Sequence, residues 1–274
     1  MSKDITIQFV DGAGKIRSLT GTLAAAAARF EESRVVVVKN ATPAEPLRRI
    51  GAALLGPMRT DPGLRTTSDM FEWERAAGLP SYALFKAILG SSVAALMRAV
   101  FHMDSLLVME HNLHRPRVQL PEAPDQGLPF HQDGGACGVA MVRGWFLLSP
   151  ETCGEIAPNI EFLIGAPDTI LPKEGNPDSK TYAWLELSHA ERDRLLNECV
   201  RWQPSVELGD AIVFKGTVPH RTNFPPTAAA PRLSLETSIF PNKPDLYDYC
   251  VNNDPLGLLV VGNGSFDHIK RVRQ

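Results

Sequence analysis

Phe130-His131-Gln132-Asp133 sets an imidazole and a carboxylate two positions apart. On an extended strand, residues i and i+2 point to the same face, so His131 and Asp133 can reach one metal ion together. A third ligand has to come from another strand. His220 is the candidate, because it follows Gly209-Asp210-Ala211-Ile212-Val213-Phe214, a turn leading into an apolar strand. Two histidines and one carboxylate on one face of a metal leave three positions open, a donor set that suits Fe(II) and leaves room for a co-substrate and O2. A structural zinc site with four protein ligands has no such room.

Arg232 and Ser234, in Pro231-Arg232-Leu233-Ser234, share a strand face by the same period of two. A guanidinium fork beside a hydroxyl is a good receptor for a carboxylate. On strands that neighbour each other, His220 and Arg232 would bracket a dicarboxylate such as 2-oxoglutarate. Its keto-acid end would chelate the metal, and its far carboxylate would rest on Arg232. Thr222, two residues beyond His220, is expected to help hold it. Asn112 and His114 share a face and are expected to contact co-substrate or substrate. Phe130 and Trp145 are the candidate substrate contacts.

Other histidines and basic residues read more plainly. His102-Met103-Asp104 repeats the His-x-Asp spacing but falls where a helix should end, and a histidine there complements the helix dipole. His111 and His114 face opposite sides of a strand, so joint ligation is not expected. Arg115, Arg117, Arg143, Lys215 and Arg221 are read as a solvated barrel rim. Asp11-Gly12-Ala13-Gly14-Lys15 reads as a hairpin turn, since it lacks the full phosphate-loop pattern.

The elements that must carry these residues come in two textures. The first part is helix-rich. A strand is expected over Ile5–Val10, a helix capped by Thr22 through the alanine run to about Glu32, and a buried strand over Arg34–Lys39. A second helix spans Pro43–Leu55, a loop Pro57–Asp69, and a third helix Tyr82–Val100. From residue 104 onward strands dominate: Leu106–Leu113, Val139–Leu148, Ile160–Ile164, Ala211–Phe214 and Leu233–Phe240. One helix interrupts them, Ser188–Cys199, with Ser188 and Glu191 as its capping box. The segments 57–80 and 150–185 are candidate lids. The fold class expected is α+β, one domain over 1–274: a helix-rich part over 1–103, a β-core over 104–240 and a C-terminal extension over 241–274.

Composition bounds the partners. With 274 residues, 44% hydrophobic and 22% charged, the chain can bury a full core without staples. Lys+Arg 28 against Asp+Glu 31 gives a net charge of −3, and a nucleic-acid binder usually shows a basic excess. No run of 18 apolar residues suggests a membrane span. Cys137, Cys153, Cys199 and Cys250 are far apart, and no apolar leader follows Met1. Reduced thiols and a cytoplasmic location are therefore expected. The partner expected is a small-molecule substrate. Residues 247–261 could pack on the chain's own barrel or on a second copy, so a homodimer stays open.

Taken together, the motifs resemble Fe(II)/2-oxoglutarate-dependent oxygenases, specifically the phytanoyl-CoA dioxygenase-like group, over roughly residues 104–240. Asn112-Leu113-His114-Arg115-Pro116 is similar to that group's strand ending in Asn, a basic residue and Pro. Leu128-Pro129-Phe130-His131-Gln132-Asp133 resembles its aromatic-His-Gln-Asp, and Val142-Arg143-Gly144-Trp145 its next strand with an inward Trp. His220-Arg221-Thr222-Asn223 with Pro231-Arg232 resembles its distal His and 2-oxoglutarate arginine. The resemblance implies a double-stranded β-helix, a jelly-roll or cupin-like barrel with N-terminal helices packed on it. It also implies Fe(II), 2-oxoglutarate and O2, with oxidation of an unactivated C–H bond and release of succinate and CO2. Cys153-Gly154-Glu155-Ile156-Ala157-Pro158-Asn159 departs from the group's Asn-Gly…Pro-Gly-Ser-His segment. In related halogenases a glycine replaces the carboxylate ligand; Asp133 fills that position here, which favours hydroxylation. Two alternatives remain at this level: a cupin-like iron enzyme that does not use 2-oxoglutarate, and a non-catalytic metal-binding barrel.

Overall fold

Thr22 accepts a hydrogen bond from the Ala25 N–H at 3.3 Å and starts α1, Leu23–Ser33. Arg34 ends it in the left-handed region, φ 60°, which turns the chain directly into β3, Val35–Val38. All four valines of β3 are buried. Before α1, Asp11 takes the N–H groups of Ala13 and Lys15 and closes the hairpin of β1, Ile5–Val10, and β2, Ile16–Gly21. The structure, a computed structural model, describes residues 4–60, 70–80, 83–109, 116–136, 141–174, 186–246, 250, 258–262 and 269–272.

Two helices differ from the sequence reading. The second, α2, runs over Ala44–Thr60 and passes through Pro57, where a loop was expected to begin. Its buried stripe explains this: Leu47, Ile50, Leu54 and Met58 recur at helical spacing across the proline. The expected helix over Tyr82–Val100 is two, α4, Ala83–Leu89, and α5, Ser92–Phe101, bent by 44°. Ser91 Oγ accepts from the Val93 N–H at 3.2 Å and restarts the helix after Gly90. A short α3, Met70–Ala76, was not foreseen. Of the described residues, no single helix is long and apolar enough to cross a membrane. His102 is the C-cap of α5, in agreement with a helix-terminal role.

The large sheet is antiparallel, and its central strands are consecutive neighbours. β4, Leu106–Met109, pairs with β13, Arg232–Pro241, which pairs with β6, Val142–Ser149. β6 pairs with β11, Ala211–Lys215, which pairs in turn with β3. Thus β1–β3 extend the sheet of the later strands, so the N-terminal part contributes strands as well as helices. A small sheet, β12 (His220–Asn223), β8 (Asn159–Ile164) and β9 (Val200–Trp202), lies opposite. Alternation along the strands divides the core. One face of the large sheet, with Val36, Val38, Phe146, Val213 and Leu235, packs under α1, α2, α4 and α5. The other face, with Val35, Val37, Trp145, Leu147, Ile212 and Phe214, packs on Ile160, Phe162 and Trp202 of the small sheet. The helix α6, His189–Glu198, is capped by Ser188 as expected.

Helix α2 touches the sheet at backbone distance. A Cβ built on Gly51 would stand 2.0 Å from the Leu148 carbonyl oxygen. Gly51→Ala is therefore expected to push α2 off β6 and cost about 1–3 kcal/mol, read as a drop in Tm of several degrees. An unchanged Tm would show that α2 is free to shift.

Candidate metal centre

His131 and His220 are held to each other through their backbones. The His131 N–H donates to the His220 carbonyl at 3.0 Å, and the His220 N–H donates back at 3.0 Å. His220 opens β12, as strand chemistry predicts. His131 and Asp133 differ from the expected regular strand. His131 forms an isolated bridge, and Asp133 begins a 3-10 turn, Asp133–Ala136. The two side chains converge because the chain curls there, not because they alternate on a strand. Gln132 fixes the curl: it is fully buried, donates to the Thr169 and Thr217 carbonyls, and accepts from the Leu171 N–H at 2.8 Å. Gly134 lets the curl approach the end of β11. Its N–H donates to the Gly216 carbonyl at 2.8 Å, and a Cβ on Gly216 would meet the Gly134 nitrogen at 2.9 Å.

Both imidazoles are oriented for ligation. His131 Nδ1 lies 2.7 Å from the Pro129 carbonyl and His220 Nδ1 lies 2.9 Å from the Val218 carbonyl. A carbonyl only accepts, so each Nδ1 carries the hydrogen and each Nε2 keeps its lone pair. The His131 Nε2 stands 3.7 Å from Asp133 Oδ1, and the His220 Nε2 stands 3.6 Å from Asp133 Oδ2. The three ligand atoms lie within 4.8 Å of one another. The donor set, its burial and the free Nε2 atoms fit a divalent metal. Burial first, and the neighbouring His220 second, push the His131 imidazole down to about 4. Burial alone would raise the Asp133 carboxyl, but Arg143, and then His220 and His131, outweigh it and hold it well below the usual carboxylate range. His131 and Asp133 are thus kept in the deprotonated form a metal needs.

The sign of these shifts fixes the acid stability of the metal-free protein. His131 titrates near 6.5 when unfolded and near 4 when folded. Between those values the unfolded chain binds more protons, so stability is lost as pH falls below about 6.5. The depressed Asp133 acts in the same direction. At pH 5 the His131 contribution to the loss is about 2 kcal/mol. The Tm of metal-free protein should drop by several degrees between pH 7.5 and 5, and His131→Asn should flatten that dependence. An equally steep profile in the variant would remove His131 as its source.

A second cluster adjoins the same pocket, which Arg232 lines. Arg232, 2% exposed, and Ser234, fully buried, come from the start of β13 as period two requires. Arg232 Nε and Nη1, Ser234 Oγ and Trp145 Nε1 have no hydrogen-bond partner among the described residues. An orphaned buried donor costs roughly 1–3 kcal/mol, and a buried guanidinium with two of them beside a pocket suits an anion. Burial pulls the Arg232 guanidinium down to about 10, still charged at neutral pH. The Trp145 ring lies 5.4 Å from the Arg232 Cζ, so this side chain faces the barrel interior beside the arginine, not a substrate entrance.

The other candidates fall as follows. Thr222 lines the pocket, and its hydroxyl oxygen accepts from the Leu128 N–H at 3.1 Å. Phe130, expected to meet substrate, is buried in a satellite cluster with Leu163, Leu171 and Leu187, and the Arg221 guanidinium sits over its ring at 4.7 Å. Asn112 and His114, like His111 and Arg115, lie outside the described residues, as do large parts of the two candidate lids.

The solvated rim is the main correction. Arg143 is largely enclosed and donates through Nε to Asp133 Oδ2 at 2.9 Å and through Nη1 to Ser238 Oγ. Arg221 binds the fully buried Glu161, which also takes Arg201 Nε at 2.7 Å and Gln203. Arg117 lines the pocket and stands 3.6 Å from Glu236. Lys215, paired with Glu31 and Asp168, is 23% exposed, Arg117 30% and Arg221 35%, so among the described residues of that group only Arg143 is drawn inside. One signal in the sequence marks Arg143: it alternates with the inward Trp145 and Leu147 on β6.

No protein-family model and no curated protein matches this sequence. Solved structures do match in fold. EctD from S. alaskensis, solved with 2-oxoglutarate and 5-hydroxyectoine, superposes with a TM-score of 0.54 at 15% identity, over 92% of this chain and 84% of its own. The non-heme alpha-ketoglutarate-dependent epimerase SnoN from nogalamycin biosynthesis, solved with Fe3+, alpha-ketoglutarate and a nogalamycin derivative, gives 0.52 at 15% identity, over 90% and 97%. The non-heme monooxygenase ThoJ gives 0.50 at 13%, over 90% and 83%. At these identities the likeness is one of fold.

Proposed function

We propose that the protein is an Fe(II)- and 2-oxoglutarate-dependent oxygenase that hydroxylates an unactivated C–H bond of a small molecule, on a double-stranded β-helix of the jelly-roll type. One observation carries this reading: a buried His-Asp-His set with both Nε2 atoms free shares a pocket with Arg232, whose Nε and Nη1 are unpartnered. A metal site alone would need no buried carboxylate receptor, and a structural zinc site would use a fourth protein ligand.

Each side chain then has a task. His131, Asp133 and His220 hold Fe(II), which together with 2-oxoglutarate and O2 supplies the oxidising chemistry when bound. The Pro129 and Val218 carbonyls keep both imidazoles in the ligating tautomer. Arg232 and Ser234 take the far carboxylate of 2-oxoglutarate, with the Trp145 ring packed beside the guanidinium. Thr222 keeps β12 against Leu128 and lines the pocket. Burial of His131, Asp133, His220, Arg232 and Ser234 keeps water from the reacting centre, which protects the oxidation from wasteful side reactions.

The pocket mouth is polar and charged, with Arg117, Arg221 and Glu236 beside Leu128 and Ile160, which supports a polar small molecule as substrate. Cys153, Cys199 and Cys250 are free thiols, which supports a cytoplasmic setting. The test is turnover: purified protein with Fe(II), O2 and a panel of polar small molecules should release succinate only when 2-oxoglutarate is present. Oxidation that proceeds without 2-oxoglutarate would overturn the assignment in favour of a cupin-like iron enzyme.

A further inference from the structure

We propose that Arg143 is a positioning residue that reserves one oxygen of Asp133 and so keeps that carboxylate a one-point metal ligand. The inference rests on the metal reading above and extends it to a residue outside the ligand set.

The two oxygens of Asp133 are not equivalent. Oδ1 faces the His131 Nε2 at 3.7 Å. Oδ2 faces the His220 Nε2 at 3.6 Å but also accepts the Arg143 Nε–H at 2.9 Å. With each oxygen within 4 Å of a ligating nitrogen, a free carboxylate here could chelate a metal through both. The Arg143 N–H is aimed at Oδ2 and competes with a metal for its lone pairs, which leaves Oδ1 as the donor.

The aim of Arg143 is itself fixed. Its Nη1 donates to Ser238 Oγ, and Ser238 is the residue directly across from Arg143 in the β6–β13 register. Arg143 and Ser238 are both tightly enclosed, at 14% and 1% exposure. A planar guanidinium offers N–H groups in two fixed directions, so it can serve Asp133 and Ser238 together. An ammonium has no such fork. Strand pairing therefore sets the arginine, and the arginine sets the carboxylate.

The consequence is the number of open positions. Two imidazoles and a one-point carboxylate leave about three on a six-coordinate metal. A two-point carboxylate would leave about two, too few for a chelating co-substrate and a gas molecule together.

The experiment uses Mn(II) alone, with bound waters counted by water relaxation in wild type, Arg143→Met and Arg143→Gln. Wild type should carry about three exchangeable waters and the variants about two. Arg143→Gln, which keeps a polar group opposite Ser238, serves if Arg143→Met does not fold. About three waters in a folded variant would overturn the proposal, because a merely structural arginine leaves the count unchanged. A wild type that shows no Mn(II)-dependent relaxation would instead contradict the metal reading itself and take this inference with it.

Discussion

Arg232→Met is expected to weaken 2-oxoglutarate binding by at least about 100-fold while leaving Fe(II) affinity nearly unchanged. A charge-assisted hydrogen bond contributes about 1.5–3 kcal/mol, and about 1.4 kcal/mol is tenfold in affinity. Arg232 offers two unpartnered nitrogens, Nε and Nη1, to the pocket, so two such bonds are lost together. The same substitution should raise or preserve the Tm of the ligand-free protein. Arg232 is a buried cation that burial penalises first of all, and an apolar side chain of similar length removes that cost. The split is the diagnostic: weaker co-substrate binding in a protein no less stable. Titration of 2-oxoglutarate by calorimetry and a thermal melt check it. A large fall in Tm would make Arg232 a structural residue instead.

Asp133→Asn should do the reverse. It keeps the shape of the ligand and removes its charge, so metal affinity should fall by at least the roughly 10–100-fold seen when only the groups supporting metal ligands are removed, and activity should vanish. It also leaves the Arg143 guanidinium buried without its carboxylate. Breaking one side of a buried ion pair costs about 3–5 kcal/mol, a fall in Tm on the order of 10 °C. Adding Arg143→Met to Asp133→Asn should restore stability without restoring metal binding. If the single variant melts like wild type, the Arg143–Asp133 pair does not bear on stability in solution.

The parts of the site that followed a simple period were legible in the sequence. Arg232 and Ser234 on one face of β13, and His220 at the head of β12, required only alternation and an apolar strand. The pairing of His131 with Asp133 was also legible, but for a different reason from the one the spacing suggests. A 3-10 curl pinned by Gln132 brings them together, and a glutamine's hydrogen bonds to residues 37 and 85 positions away leave no local trace. Arg143 was misread because a basic residue near a motif looks solvated by composition, while its partners Asp133 and Ser238 come from elsewhere in the chain.

The same divide runs through the fold. Thr22 and Ser188 announced their helices because capping is local. Gly90-Ser91 split a helix that its apolar spacing joined, since the cap of α5 competes with continuity and wins. Pro57 failed to stop α2 because Met58 continues a stripe buried against the sheet, a tertiary gain invisible to a local rule. Nothing local reveals that β3 would pair with β11, 173 residues further on at Ala211↔Val38.

The most direct test of Fe(II) and 2-oxoglutarate binding at this site is optical and anaerobic. Fe(II) and then 2-oxoglutarate are added to the purified protein, and the visible metal-to-ligand charge-transfer band of the chelate is sought, with His131→Ala and Arg232→Ala beside it. A band is expected in wild type, with its loss in His131→Ala and a far higher 2-oxoglutarate requirement in Arg232→Ala. A folded, iron-loaded wild type that gives no band would contradict the 2-oxoglutarate assignment.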